Sequence, residues 1–166
     1  MINYEDKLQK EMDNYREVKN VHELPESFHY IVNKYLNNFL NTHIGIKDFM
    51  NDIFLYEIKR LSNIKSEENI SILSIGSGNC DVEINFAFQN DLKCEFTCIE
   101  VNENMLKRGE NEAKLKGLTS FTFIKMDINK IKLKKKYDII FASHSLHHFL
   151  ELEKIFDEIN LCMHEE

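Results

Sequence analysis

Past residue 70 the chain alternates short apolar runs with segments whose apolar positions recur at helical spacing. The run ISILSI at 70–75 predicts a buried strand; the turn GSG follows, and DVEINFAFQ at 81–89 predicts a helix. EFTCIE at 95–100 predicts a second strand, and a helix is expected from about Asn102 to Lys116. FTFIKM at 121–126 and YDIIFA at 137–142 predict two more strands, the last followed by a loop and a helix over about 151–163. That helix places Leu152, Ile155, Phe156, Ile159 and Met163 along one face. Strands alternating with helices imply a parallel sheet with right-handed crossovers, so the expected class is α/β.

The first 66 residues carry helical periodicity and no strand signal. Phe28, Ile31, Tyr35 and Leu36 form one such stretch, and Phe49, Ile53, Phe54, Ile58 and Leu61 a second. The polar segment SNIKSEEN ends this part. The expected organisation is an N-terminal helical cap over 1–66 and an α/β domain over 67–166.

Composition narrows the classes. At 166 residues the chain is long enough to bury a core as one domain. A net charge of −7 argues against nucleic acid, because phosphate binding needs a basic footprint. No apolar run approaches the roughly 20 residues that span a bilayer. The polar, acidic start MINYEDKLQKEMDN lacks a signal-peptide core, so neither membrane nor export is expected and the cytoplasm is the default location. Cys80, Cys94, Cys98 and Cys162 form no Cys-x-x-Cys pair and are expected to be reduced and structural.

The chemistry gathers at the strand ends. The first strand runs into Gly76-Ser77-Gly78-Asn79-Cys80-Asp81 and then a helix. Glycines there permit a tight turn and close approach of a ligand, and the helix start offers free N–H groups. A plain αβ turn would need the same glycines. Glu100 closes the second strand, where an acid can accept hydrogen bonds from both hydroxyls of a ribose. A solvated strand-end acid is the alternative. Met105 could pack on an adenine face through its sulfur or simply fill the core. Asp127 ends the third strand, where a carboxylate could receive an adenine amino group. The fourth leads into Ala142-Ser143-His144-Ser145-Leu146-His147-His148-Phe149. Ligands of open parallel sheets bind beyond the carboxyl ends of the strands where strand order reverses, and strands one and four would flank that point.

These segments resemble class I S-adenosylmethionine-dependent methyltransferases. The likeness runs from about Ser71 to Met163 through SILSIGSGNCDVE, FTCIEVNENMLKRG, FTFIKMDI and YDIIFASHSLHHF. A narrower resemblance, to an uncharacterised bacterial methyltransferase group, adds ELPESFHYIVNKYL, SIGSGNCD, NMLKRG and SLHHF. The family likeness implies a Rossmann-like sheet with S-adenosyl-L-methionine as cofactor; neither likeness names the acceptor, which is expected to be a small molecule. Gly76, Ser77, Gly78 and Asn79 would then lie by the amino-acid part of the cofactor, and Glu100 with Val101 by the ribose. Met105, Asp127 and Ile128 would border the adenine, and Ser143 and His144 the methyl-transfer centre. The FHYIVNKY segment would close over the cofactor, offering His29, Tyr30, Asn33 and Lys34; a solvent-facing polar stripe is the alternative. Three departures stand out. Ser74 replaces the usual acid two residues before the first glycine, and Cys80 replaces the third glycine of the common pattern. The family sheet has seven strands, and this sequence carries four, which reads as a fragment or a truncated gene product.

Methyl transfer from a sulfonium is a direct displacement and needs no protein nucleophile. His144, His147 and His148 are candidate bases where the acceptor must lose a proton, with His144 and His147 preferred. No metal is expected: His144 and His148 are four apart, but no acidic or cysteine ligand stands near. The lysine run KIKLKKKYD at 130–138 reads as a solvated loop rather than a phosphate site. Two other functions stay open. One is a cofactor-binding module or inactive remnant without an acceptor pocket. The other is an NAD-dependent dehydrogenase or epimerase, whose fingerprint wants a glycine where Asp81 stands. The acceptor, the atom methylated and the oligomeric state are not written in these motifs.

Overall fold

A computed structural model describes residues 3–14, 25–47, 49–65, 69–90, 93–130 and 132–164. The chain divides into two compact units, Met1–Val21 with Ile70–Glu166, and His22–Asn69. Among the described residues no helix is long and apolar enough to cross a membrane.

The larger unit is an α/β sheet. Its strands are β1 (Ile70–Ile75), β2 (Cys94–Glu100), β3 (Phe121–Lys125) and β4 (Ile139–Phe141), all parallel in the order β3-β2-β1-β4. β1 therefore lies between β2 and β4, and chain order reverses beside it, as the strand pattern implies. Its helices are α1 (Tyr4–Asn14), α5 (Asp81–Gln89), α6 (Glu103–Leu115) and α7 (Leu152–Leu161). β1 and α5 have the bounds expected from ISILSI and DVEINFAFQ.

Alternation of side chains assigns the two faces of the sheet. Leu73, Ile75 and Ile99 pack with Tyr137, Phe149, Ile155 and Cys162 in one buried cluster. On the opposite face Phe96 stacks on Phe121 at 4.8 Å and meets Phe86 of α5 edge-on at 6.3 Å. β4 is shorter than the apolar run YDIIFA. Asp138 instead accepts from the Ser71 amide and hydroxyl, both at 2.8 Å, and Tyr137 bridges to Met163. Along α7 only Ile155 is buried and Leu152 and Phe156 are exposed; the helix ends at Leu161, so Met163, also exposed, lies beyond it.

The smaller unit is helical: α2 (Glu26–Ile31), a π-helical stretch Val32–Asn37, α3 (Asn38–Ile44) and α4 (Phe49–Lys65). The first three are continuous and end at Gly45, whose φ of +73° provides the left-handed cap. Val32, Ile46, Phe54 and Ile58 are buried, whereas Ile31 and Tyr35 of the expected apolar stripe are exposed. Helix α4 reaches Lys65, well into SNIKSEEN; Ser66, Glu67 and Glu68 of that segment lie outside the described residues.

One boundary differs from the sequence expectation. Helix α1 belongs with the sheet rather than with a cap over 1–66. Its ties are long-range and polar: Tyr4 to Asp127, Glu5 to Lys130 and Met12 to Asn102. None of them leaves a periodic trace in the sequence.

Candidate functional site

The turn after β1 is fastened to the end of β2. The amides of Gly76 and Ser77 both donate to the Ile99 carbonyl, at 2.8 and 3.1 Å. Gly76 and Gly78 have φ of +66° and +56°, in the left-handed region that glycine enters without strain. Cys80 adopts the same region at φ 58°, so the conformation favoured by a third glycine persists with cysteine in its place. Its thiol donates to the Ser77 hydroxyl at 3.3 Å.

The glycine turn and the acid of β2 meet directly. The Gly78 amide donates to Glu100 Oε2 at 3.0 Å, and the Asn102 amide to Oε1 at 2.8 Å. Two backbone donors thus fix the carboxylate at the carboxyl ends of β1 and β2. Val101 is half-buried between them, and Asn102 caps α6 by accepting from the Asn104 and Met105 amides. Met105 is buried. At Gly109 of α6 an added Cβ would stand 2.7 Å from the Asn79 carbonyl oxygen, so this glycine lets the helix reach the turn.

Gly76 has a different neighbour. A Cβ there would fall 2.5 Å from the Cβ of Ser145, whose hydroxyl donates to the Ile75 carbonyl at 2.8 Å. This glycine makes room for the loop after β4. The same loop carries Ser143 and His144, with Ser143 Oγ 3.3 Å from His144 Nδ1, and His144 at φ 55°. His147 and His148 follow in a 3-10 turn with ring centres 3.8 Å apart. That turn is not an α-helix, so four-apart helical spacing does not describe His144 and His148. Among the described residues no group of three or more His, Cys, Asp or Glu side chains is arranged to hold a metal.

Asp127 is crowded. Both its carboxylate oxygens accept from the Tyr4 hydroxyl at 3.0 Å, and Oδ1 also accepts from the Asn129 amide at 2.9 Å. Lys130 Nζ stands 3.5 Å from Oδ2 and pairs with Glu5 at 2.8 Å. Ile128 begins the short 3-10 turn after β3 and packs against the core cluster. Asn129 connects three segments: its Nδ2 donates to Tyr4 Oη at 3.0 Å and to the His148 carbonyl at 3.2 Å, and its Oδ1 accepts from the Leu150 amide at 2.8 Å. Tyr4, Asn102, Asn129 and Ser145 are the site's supporting residues that pattern reading missed. Only the strand-end position of Asn102 and Asn129 hints at them.

Beneath the turn, Glu83 of α5 is fully buried and its carboxyl accepts from the Ser74 hydroxyl. Ser74 stands where the resemblance expects an acid, and a carboxyl reaches that position from the helix instead. Burial raises the Glu83 carboxyl to about 7. All four cysteines are buried free thiols. Cys98 is held well above the ordinary thiol range, first by its hydrogen bond with Cys80 and then by burial. Cys94 is raised by burial to about 11. The Asn79 Oδ1 atom is buried without a hydrogen-bond partner.

The lysine run is largely engaged in pairing. Lys130 pairs with Glu5 and Lys135 with Glu95, while Lys136 donates to the Met163 carbonyl. Ile131 lies outside the described residues. His29, Tyr30 and Lys34 belong to the helical unit, where all three are exposed. There Lys34 Nζ donates to Tyr30 Oη at 2.6 Å, so that four-apart pair does share a face.

A parallel sheet with a glycine turn on one strand and an acid on the next, beside a reversal of strand order, defines a Rossmann-like fold. The sequence profile of the methyltransferase-domain family matches residues 66–166, and the chain belongs to that family, with a class I fold. No curated protein matches the chain at a significant level. Solved structures share the fold. A methyltransferase of Clostridium acetobutylicum described as S-adenosylmethionine-dependent is 16% identical, with a TM-score of 0.55 over 84% of this chain and 53% of that one. One from Geobacter sulfurreducens, in complex with S-adenosyl-L-homocysteine, is 15% identical, with a TM-score of 0.51 over 86% of this chain and 53% of that one. Another such complex, from Thiobacillus denitrificans, is 15% identical, with a TM-score of 0.51 over 86% and 52%. The chain spans about half the length of these structures.

Proposed function

We propose that this chain binds S-adenosyl-L-methionine at the carboxyl edge of β1, β2 and β3 and serves methyl transfer to a small-molecule acceptor. The observation that carries the reading is the Gly78–Glu100 contact, which joins the glycine turn to the strand-end acid.

The residues fit the cofactor at Glu100. An ionised carboxylate offers about four acceptor directions. The Gly78 and Asn102 amides use two of them, which leaves capacity for a ribose diol. The orphaned Asn79 Oδ1 is a further acceptor in the same turn. At Asp127 the fit requires a rearrangement, because Tyr4, Asn129 and Lys130 already surround the carboxylate.

When bound, the cofactor supplies an electrophilic methyl group that an acceptor lone pair displaces from sulfur. The protein's part is then alignment and exclusion of water, and alignment alone contributes several kcal/mol in general. Ser143 and His144 are assigned to the transfer centre. His144 or His147 takes the proton of an acceptor that must lose one. The cytoplasm is the proposed location.

A second reading, a cofactor-binding module without a complete acceptor pocket, is favoured by β4. Among the described residues that three-residue strand pairs on one side only. The nicotinamide reading is disfavoured by Asp81, an acid in the first turn of α5, where a pyrophosphate would sit. Thermal melting separates the two S-adenosylmethionine readings, which share its outcome, from the nicotinamide one. Saturating S-adenosylhomocysteine is expected to raise Tm and NADH to leave it unchanged, since a ligand at about 100 times its Kd stabilises by about 2.7 kcal/mol. A shift with NADH alone would reverse the assignment.

A further inference from the structure

We propose that α1 is a displaceable strap across the cofactor edge, held down by Tyr4 on Asp127, and that a bound cofactor must dislodge it. This rests on the cofactor reading above and adds a competitor to it.

The Tyr4 hydroxyl is 3.0 Å from each oxygen of Asp127, so it engages both at once. The remaining approaches are covered by the Asn129 amide at 2.9 Å and Lys130 at 3.5 Å. A donor arriving from an adenine ring therefore has to replace Tyr4. Burial raises the Tyr4 phenol, which keeps it a protonated donor through the neutral range.

The strap has a second anchor. Asn102 Nδ2 donates to the Met12 carbonyl at 3.4 Å. Asn102 follows β2 and Asp127 follows β3, and these strands are neighbours. Helix α1 thus runs from the end of β3 to the end of β2, over the edge assigned to adenine and ribose.

Its hold is shallow. Tyr4, Leu8 and Met12, four apart on one face, are only half-buried, and none of the described side chains of α1 is buried. The Glu5–Lys130 pair at its start is exposed on both sides. Helices so attached open at low free energy, and 11 residues are too few for a helix to stand by itself in water. A ligand that binds only the open state has its affinity reduced by the closed fraction.

The test is calorimetric titration of the full chain and its Tyr4→Phe variant with S-adenosylhomocysteine, with amide exchange over α1 followed in both. Removing one hydroxyl is expected to tighten binding about three- to tenfold, the worth of one hydrogen bond. Exchange over Tyr4–Asn14 is expected to speed up when the wild-type chain is saturated. Equal or weaker binding by Tyr4→Phe, or α1 amides that are unchanged or slowed by ligand, overturns the strap. No binding by either chain, both folded by circular dichroism, overturns the cofactor reading itself.

Discussion

Gly76 and Ser145 stand so close that a Cβ on Gly76 would lie 2.5 Å from that of Ser145. Real Cβ atoms do not approach one another so nearly, and φ at Gly76 is +66°. The loop after β4 is thereby docked on the end of β1, with the Ser145–Ile75 hydrogen bond as its lock. Gly76→Ala is expected to destabilise the chain by about 1–3 kcal/mol through overpacking and left-handed strain. Urea unfolding reads this directly. A variant within about 0.5 kcal/mol of wild type would mean that the loop docks elsewhere.

Glu83 gives the chain a pH signature. Burial raises its carboxyl from 4.5 to about 7. The folded state therefore holds a proton that the unfolded chain releases near 4.5. This contribution is full below that value, falls as pH rises to about 7, and is absent above it. At 1.36 kcal/mol per pKa unit the loss is on the order of 3 kcal/mol. Stability measured from pH 4 to 8 should fall more steeply for wild type than for Glu83→Gln, which cannot ionise. Parallel curves would show that Glu83 is solvated.

Asn129 joins Tyr4, the His148 carbonyl and the Leu150 amide through one carboxamide. Asn129→Ala should cost about 0.5–1.5 kcal/mol, because two part-buried bonds and one exposed bond are lost. Exchange of the Leu150 amide should quicken while the β1 amides keep their protection. If the Leu150 amide exchanges at its wild-type rate, Asn129 does not hold the histidine loop.

Much of the fold was legible in the sequence, for physical reasons. Ile70–Ile75 is covered on both faces and so reads as an unbroken apolar run. Asp81–Gln89 begins right after the glycine turn and keeps helical spacing. Glu100 was legible because it ends a strand next to that turn. Contacts made by single polar atoms across long separations were not. Tyr4 meets Asp127 over 123 residues, and nothing in MINYEDKLQK marks it. The Ser74–Glu83 bond was hidden in the same way, since an acid in the first turn of a helix ordinarily faces water. The contact between Gly76 and Ser145 was likewise hidden, since nothing in the sequence marks which residue fills the space beside that glycine.

The central claim is that Glu100, fixed by Gly78, holds the cofactor, and calorimetric titration with S-adenosylhomocysteine tests it most directly. The full chain is compared with Glu100→Ala and Gly78→Arg, each shown to be folded by circular dichroism. The predicted result is saturable binding by wild type and a loss of at least about tenfold in Glu100→Ala, the scale of one hydrogen bond to a charged group. Gly78→Arg, with a long side chain placed in the turn, should abolish binding. A folded wild-type chain that does not bind, or a Glu100→Ala variant that binds as tightly as wild type, would contradict the claim.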